Sequence, residues 1–333
     1  MKKVLQHKYV LTALAGALVL SWLAGVDGIS KVASSVVPLP EPTQEINPVS
    51  LPAYAAKLYD GRELKLGQIL AKNESYTRYF ITYKSGDLTI SGIMNLPHGP
   101  GPFPVLILNH GYIDTAVYTN GRGLKREQDY LARRGYAILH SDYRNHAFSS
   151  KDPEADMKFR LGYMEDVINA VYAVKSSSMA FLDKEKIGML GHSMGGGVAI
   201  NILVTQPDLV KVAVLLAPVS ADWKDNFEKW SDNRAELTQK LVAVYGEPET
   251  NLEFWNNISA INFLDKITAP LMIHHGDQDE AVPIAWSDKL VARLKENKKD
   301  VTYYTYAGEP HEFAWAWPLV MQRTAEFFDL YLK

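Results

Sequence analysis

Short uninterrupted apolar runs recur along the chain, separated by stretches in which apolar residues return every three or four positions. "FPVLILN", "YAILH", "KIGML", "VAVLL", "PLMIHH" and "VTYYTY" read as strands, and "LKREQDYLARRG", "LGYMEDVINAVYAV", "IAWSDKLVARLKEN" and "PLVMQRTAEFFDLYL" as helices. Strands that are apolar at consecutive rather than alternate positions predict a sheet covered by helices on both faces, hence a mostly parallel, doubly wound α/β fold. Ahead of them, "RYFITYKSGDLTISGIMNLP" alternates and predicts a hairpin turning at Ser85-Gly86-Asp87. A helical insertion follows the sixth of these strands, residues 219 to 269. In an open sheet it overhangs the carboxyl ends of the strands, where ligands bind. It reads as a lid whose Trp223, Phe227, Trp230, Tyr245 and Trp255 form a pocket wall; a plainer role, closing a small helical core together with Phe254, is compatible.

Three lysines in "MKKVLQHK" precede residues 9 to 26, which carry no charge. A basic start and an apolar core predict an export signal, either cleaved or retained as an anchor, over residues 1 to 26. "VVPLPEPTQEINPVSLP" follows with five prolines, so residues 27 to 75 are expected to be a tether and N-terminal extension, with the catalytic body at 76 to 333. A periplasmic or secreted location is the expectation.

Composition narrows the chemistry. A formal charge of −3, from 35 basic and 38 acidic residues, and the lack of any basic run interleaved with aromatics argue against a nucleic-acid partner. A membrane is expected to be met only through the N-terminal anchor, and the partner is a small-molecule or short-peptide substrate. With no cysteine, a catalytic thiol and thiolate zinc sites are excluded.

"KIGMLGHSMGGGVAI" sets one serine among five glycines between a strand and a helix. Gly191-His192-Ser193-Met194-Gly195 fits G-x-S-x-G, in which a nucleophile sits on a tight strand-to-helix turn and glycines stand where side chains would collide. The turn aims the first helical amides above Ser193, so the Met194 amide is the expected first oxyanion donor. The second should come from the loop after "FPVLILN": the amide of Tyr112 in Asn109-His110-Gly111-Tyr112, with the His110 side chain nearby; His110 as a core histidine is the alternative.

A serine hydroxyl needs a base and an orienting acid, expected in later loops in the order Ser, Asp, His. Asp277, Asp279 and Glu280 stand in "DQDEAVP", and His311 in "EPHEF" is the only one of nine histidines downstream of them. Asp279 is the expected acid, because two residues past Asp277 the chain has cleared the strand end and can turn back. No cofactor is implied. His274 and His275 are adjacent and would point to opposite faces of a strand, and "HEFAW" carries Trp315 where a zinc motif needs its second histidine, so no metal is expected.

From about Tyr76 onward, these motifs together resemble the catalytic domain of the prolyl oligopeptidase family of serine peptidases. "LNHGY", "LARRGYAILHSDYR", "YMEDVINAV", "GHSMGG", "YGEPETNLEFW", "HGDQDEAVP" and "GEPHEF" carry the likeness. It implies an α/β-hydrolase fold, an acid four residues after the histidine of H-G-x-x-D, which is Asp279 after His275, and an oxyanion-assisting role for the residue at His110. The departures are "HGY" in place of the usual "HGG" and the expected lack of the family's β-propeller. The resulting expectation is an exported serine hydrolase cleaving peptide amides or carboxylic esters through an acyl-enzyme. A carboxylesterase for acyl or aromatic esters, and a silent hydrolase-fold binding protein, are the alternatives.

Overall fold

The computed structural model describes residues 46–333. Nothing follows from it about residues 1 to 45, so the export segment and the first part of the tether lie outside the described residues.

In chain order the elements are α1 (Leu51–Ala56), β1 (Arg62–Lys72), β2 (Tyr76–Ser85), β3 (Leu88–Pro97), β4 (Phe103–Asn109), α2 (Lys125–Ala132), β5 (Ala137–Ser141), α3 (Leu161–Ser176), β6 (Leu182–His192) and α4 (Met194–Thr205). They continue as β7 (Val212–Leu216), α5 (Trp223–Trp230), α6 (Ala235–Tyr245), α7 (Leu252–Asn257), β8 (Leu271–Gly276), α8 (Ile284–Glu296), β9 (Val301–Tyr306) and α9 (Trp317–Leu332). The strands form one sheet in the order β1-β2-β3-β5-β4-β6-β7-β8-β9. β1, β2 and β3 run antiparallel and join β5 antiparallel; from β5 to β9 every pairing is parallel. This is the α/β-hydrolase fold.

The apolar runs serve two cores at once. Val105 and Ile107 of β4 face the core shared with α3 and α4, while Leu106 and Leu108 face the one shared with α2 and α9; β7 divides in the same way, Ala213 and Leu215 against Val212, Val214 and Leu216. Because side chains alternate between faces, a strand buried on both must be apolar at every position. Chain direction then fixes the site. β4 and β6 are neighbours; the chain leaves β4 for β5 on one side and leaves β6 for β7 on the other, so the crevice at the carboxyl ends opens between them. The register sets Asn109 beside Gly191 and His192 beside Leu216 at that end.

The structure corrects the boundaries read from sequence. Residues 62 to 72, assigned to the extension, form β1 and pair with β2. Residues 51 to 56 form α1, capped by the Ser50 hydroxyl accepting from the Ala53 amide at 3.2 Å, with Leu51 and Tyr54 buried in the main core. The body therefore starts before residue 76, and the insertion follows the seventh strand, not the sixth. β1 escaped detection because Leu64 is its one buried residue; an edge strand held by backbone pairing has no apolar alternation to read.

Candidate active site

Ser193 stands between the end of β6 and the first turn of α4 with φ 56° and ψ −121°, a conformation that costs a non-glycine residue on the order of 1–3 kcal/mol. The surrounding backbone imposes it. The Ser193 amide donates to the Leu216 carbonyl at 2.9 Å, and the Ser193 carbonyl accepts from Gly196, Gly197 and Val219. A Cβ at Gly191 would lie 2.3 Å from the Gly195 carbonyl oxygen, and one at Gly195 would lie 2.0 Å from that of Asn109. The turn closes only with glycine at both positions.

His311 follows β9. Its Nδ1 is 2.7 Å from Asp279 Oδ2. The Asp279 side chain is fully buried and accepts four hydrogen bonds: His311 and, at 3.0 Å, His275 Nε2 meet Oδ2, while the amides of Ala281 and Val282 meet Oδ1 at 2.9 and 2.7 Å. Burial alone would push this carboxyl up, but the hydrogen bonds from His275, His311 and the Val282 amide outweigh it and hold the carboxyl well below the usual aspartate range. The ionised group only accepts, so it fixes the proton of His311 on Nδ1 and leaves Nε2 as the basic nitrogen. Asp277 is committed elsewhere, its Oδ1 accepting from the Gly308 amide at 2.7 Å in the turn after β9.

Ser193 and His311 line one cavity of about 840 Å³, together with Gly111, Tyr112 and Met194. The loop after β4 lies hard against the turn at Ser193: a Cβ on Gly111 would stand 3.1 Å from that of Ser193. Among the described residues, neither the Tyr112 nor the Met194 amide donates to a backbone or side-chain acceptor, so both remain available to a ligand oxygen. His192, beside Ser193, had no role in the sequence reading. Its ring lies 4.7 Å from that of His311, centre to centre, and its Nε2 is 3.3 Å from the His311 carbonyl, so it braces the loop that carries His311. His275 is the other such residue: its Nδ1 is 2.7 Å from Ser287 Oγ, which ties Asp279 to α8. The H-G-x-x-D spacing pointed to its place but not to that contact.

Two sequence expectations need correction. The His110 side chain does not reach the cavity. It is fully buried, stacked 4.3 Å from the Tyr143 ring, and its Nδ1 donates to the Gly111 carbonyl at 2.7 Å. It is a core histidine, turned inward by aromatic neighbours that sequence distance conceals. Nor do Tyr245 and Trp255 line the cavity. Tyr245 stacks on Phe254, and Trp255 donates its indole N–H to the Gly246 carbonyl, both packed around Phe159. Trp223, Phe227 and Trp230 do line it, so the insertion both walls the cavity and closes a small aromatic core. Among the described residues no group of three or more His, Asp or Glu side chains is placed to hold a metal ion.

Burial makes this region acid-sensitive. Desolvation lowers His110 and His274 to about 3, and His140 well below its ordinary value. In the unfolded chain these histidines titrate near ~6.5, so below that pH the unfolded state binds protons that the folded state refuses, and stability falls from about 6.5 down toward 3. Each should steepen the loss by up to about 1.4 kcal/mol per pH unit. Urea unfolding at pH 7.5, 6 and 5 checks this; a midpoint that holds or rises on acidification contradicts it.

Residues 122–333 match the family model described as Prolyl oligopeptidase family. Dipeptidyl aminopeptidase BIII of Pseudoxanthomonas mexicana is 27% identical over 257 residues, which cover 73% of this chain and 34% of that protein. The chain thus spans about a third of that relative's length. Among solved structures, an acetyl xylan esterase from Paenibacillus sp. R4 superposes with a TM-score of 0.66 at 20% identity, over 85% of this chain and 92% of the esterase. The acylaminoacyl peptidase of Pyrococcus horikoshii gives 0.61 at 23% identity, over 79% of this chain and 43% of the peptidase.

Proposed function

The chain belongs to the prolyl oligopeptidase family, and from this we propose that it is a serine hydrolase with Ser193 as its nucleophile, His311 as its general base and acid, and Asp279 as the group that sets the imidazole tautomer. The observation that carries this reading is the 2.7 Å contact between His311 and Asp279 at a cavity whose wall includes the strained Ser193.

His311 Nε2 takes the Ser193 proton as Oγ attacks a carbonyl carbon. The resulting oxyanion is met by the amides of Met194 and Tyr112, each worth about 3 kcal/mol in the transition state. The imidazolium, steadied by Asp279, then protonates the leaving amine or alcohol, and an acyl-enzyme remains. Water, deprotonated by the same imidazole, releases the acid and restores Ser193. The scissile bond is a peptide amide or a carboxylic ester. Family membership and the relative named a dipeptidyl aminopeptidase support the amide, and the compact, aromatic-walled cavity also suits small esters.

A short acyl ester and an aminoacyl anilide, assayed side by side, separate the two. Release of the anilide assigns peptidase activity; rapid ester cleavage without it assigns an esterase. A fluorophosphonate probe is expected to add its mass at Ser193, and an unmodified folded protein would instead favour a catalytically silent binder. Export is part of the proposal and rests on the lysine-flanked apolar run at residues 9 to 26; the mass of the protein recovered from outside the cytoplasm tells cleavage from anchoring.

A further inference from the structure

Two arginines from distant parts of the chain pack against one ring of the cavity wall. The guanidinium carbon of Arg160 lies 5.0 Å and that of Arg234 4.9 Å from the centre of the Tyr112 ring, and all three residues line the cavity that holds Ser193. Tyr112 follows Gly111, which abuts Ser193, so the pair and Ser193 open onto the same cavity. Arg160 has a carboxylate partner, Asp156 Oδ1, at 2.6 Å from its Nε. Arg234 makes no ion pair among the described residues, although it is only partly exposed.

Holding two like charges near one another costs free energy, and among the described residues only Asp156, already paired with Arg160, offsets it at Arg234. Desolvation and the neighbouring Arg160 both push Arg234 below its ordinary value. The backbone shows the same investment. Phe159 and Arg160 both take left-handed conformations, φ 51° and 56°, on the turn that directs one to the aromatic floor and the other to Tyr112. Strained non-glycine residues of this kind persist where the surroundings over-determine them, which is characteristic of ligand clamps.

Resting on the hydrolase reading above, we propose that the substrate carries a carboxylate that Arg160 and Arg234 bind beside Tyr112. At Tyr112 itself, two arginines and one aspartate leave one positive unit, which matches a monoanion; Lys229, Glu280 and Glu312 line the same cavity. Guanidinium forks pair bidentately with a carboxylate, and stacking on the tyrosine face orders them beforehand. A cationic amino group would be repelled at the same place. The carboxylate belongs either to the acyl part of the substrate or to its leaving group, and paired substrates tell these apart.

For the acyl side, 4-nitrophenyl hydrogen glutarate is compared with 4-nitrophenyl valerate. For the leaving side, 4-(butyryloxy)benzoate is compared with 4-(butyryloxy)benzamide. The anionic member of one pair is expected to show about 10-fold or greater advantage in kcat/KM, carried by KM, with the ratio falling toward one in Arg234→Gln and Arg160→Gln. Parity in both pairs for an enzyme that turns over the neutral esters overturns the anion site and leaves the hydrolase reading intact, as does a preference that survives both substitutions. Should neither these esters nor the aminoacyl anilide be cleaved, the hydrolase reading fails by itself. Calorimetric titration of the Ser193→Ala protein with 4-(butyryloxy)benzoate and its benzamide then decides the anion site: tighter binding of the benzoate, lost in the Arg234→Gln background, supports it, and equal affinities overturn it.

Discussion

Replacing Ser193 or His311 by alanine is expected to lower turnover of a small ester by about 10⁴-fold or more, with the thermal unfolding transition preserved. The two side chains act on one proton, so the double variant should be no slower than either single one; losses that multiplied would mean that they act separately. Alanine is a fair probe of the elbow because it meets the same left-handed cost as serine at φ 56°. Ser193→Gly removes the proposed nucleophile and that cost together, and should unfold later than the alanine variant. Ester hydrolysis at the native rate in Ser193→Ala would place the chemistry elsewhere.

The second large effect is expected at Asp279. In Asp279→Asn the side-chain amide has little choice of orientation, because its carbonyl oxygen must face the amides of Ala281 and Val282, which donate to Oδ1. The new NH₂ is therefore directed at His311 Nδ1 and His275 Nε2. His311 must then carry its proton on Nε2, pointing at the serine it should deprotonate. A loss of about 10⁴-fold in kcat is expected from this tautomer error. Asp277→Asn should cost far less, since an asparagine oxygen can still accept from the Gly308 amide. Reversal of the two effects in parallel rate measurements would transfer the acid to the other aspartate.

Much of this architecture can be read from the chain because buried parallel strands advertise themselves. Val105 to Leu108 must satisfy two cores and so cannot be polar anywhere, and the glycines around Ser193 are demanded by contacts that no side chain could survive. What escaped reading depends on partners remote in sequence. β1 shows one buried residue and is recognisable only from its pairing with β2. The direction of His110 is set by Tyr118, His140 and Tyr143, and the meeting of Arg160 with Arg234 by the path of the insertion; each arginine in its own segment looks like an ordinary surface charge.

The insertion leaves the sheet after Leu216 and returns before Leu271, and the strands on either side of it, β7 and β8, are direct neighbours in the ladder. Its length can therefore change without altering any strand pairing. Ser193, Asp279 and His311 all lie outside it, whereas Trp223, Phe227, Trp230 and Arg234 lie within it. Descendants of such a chain could trade one diet for another by rewriting a single continuous segment, while inheriting the bond-breaking apparatus untouched.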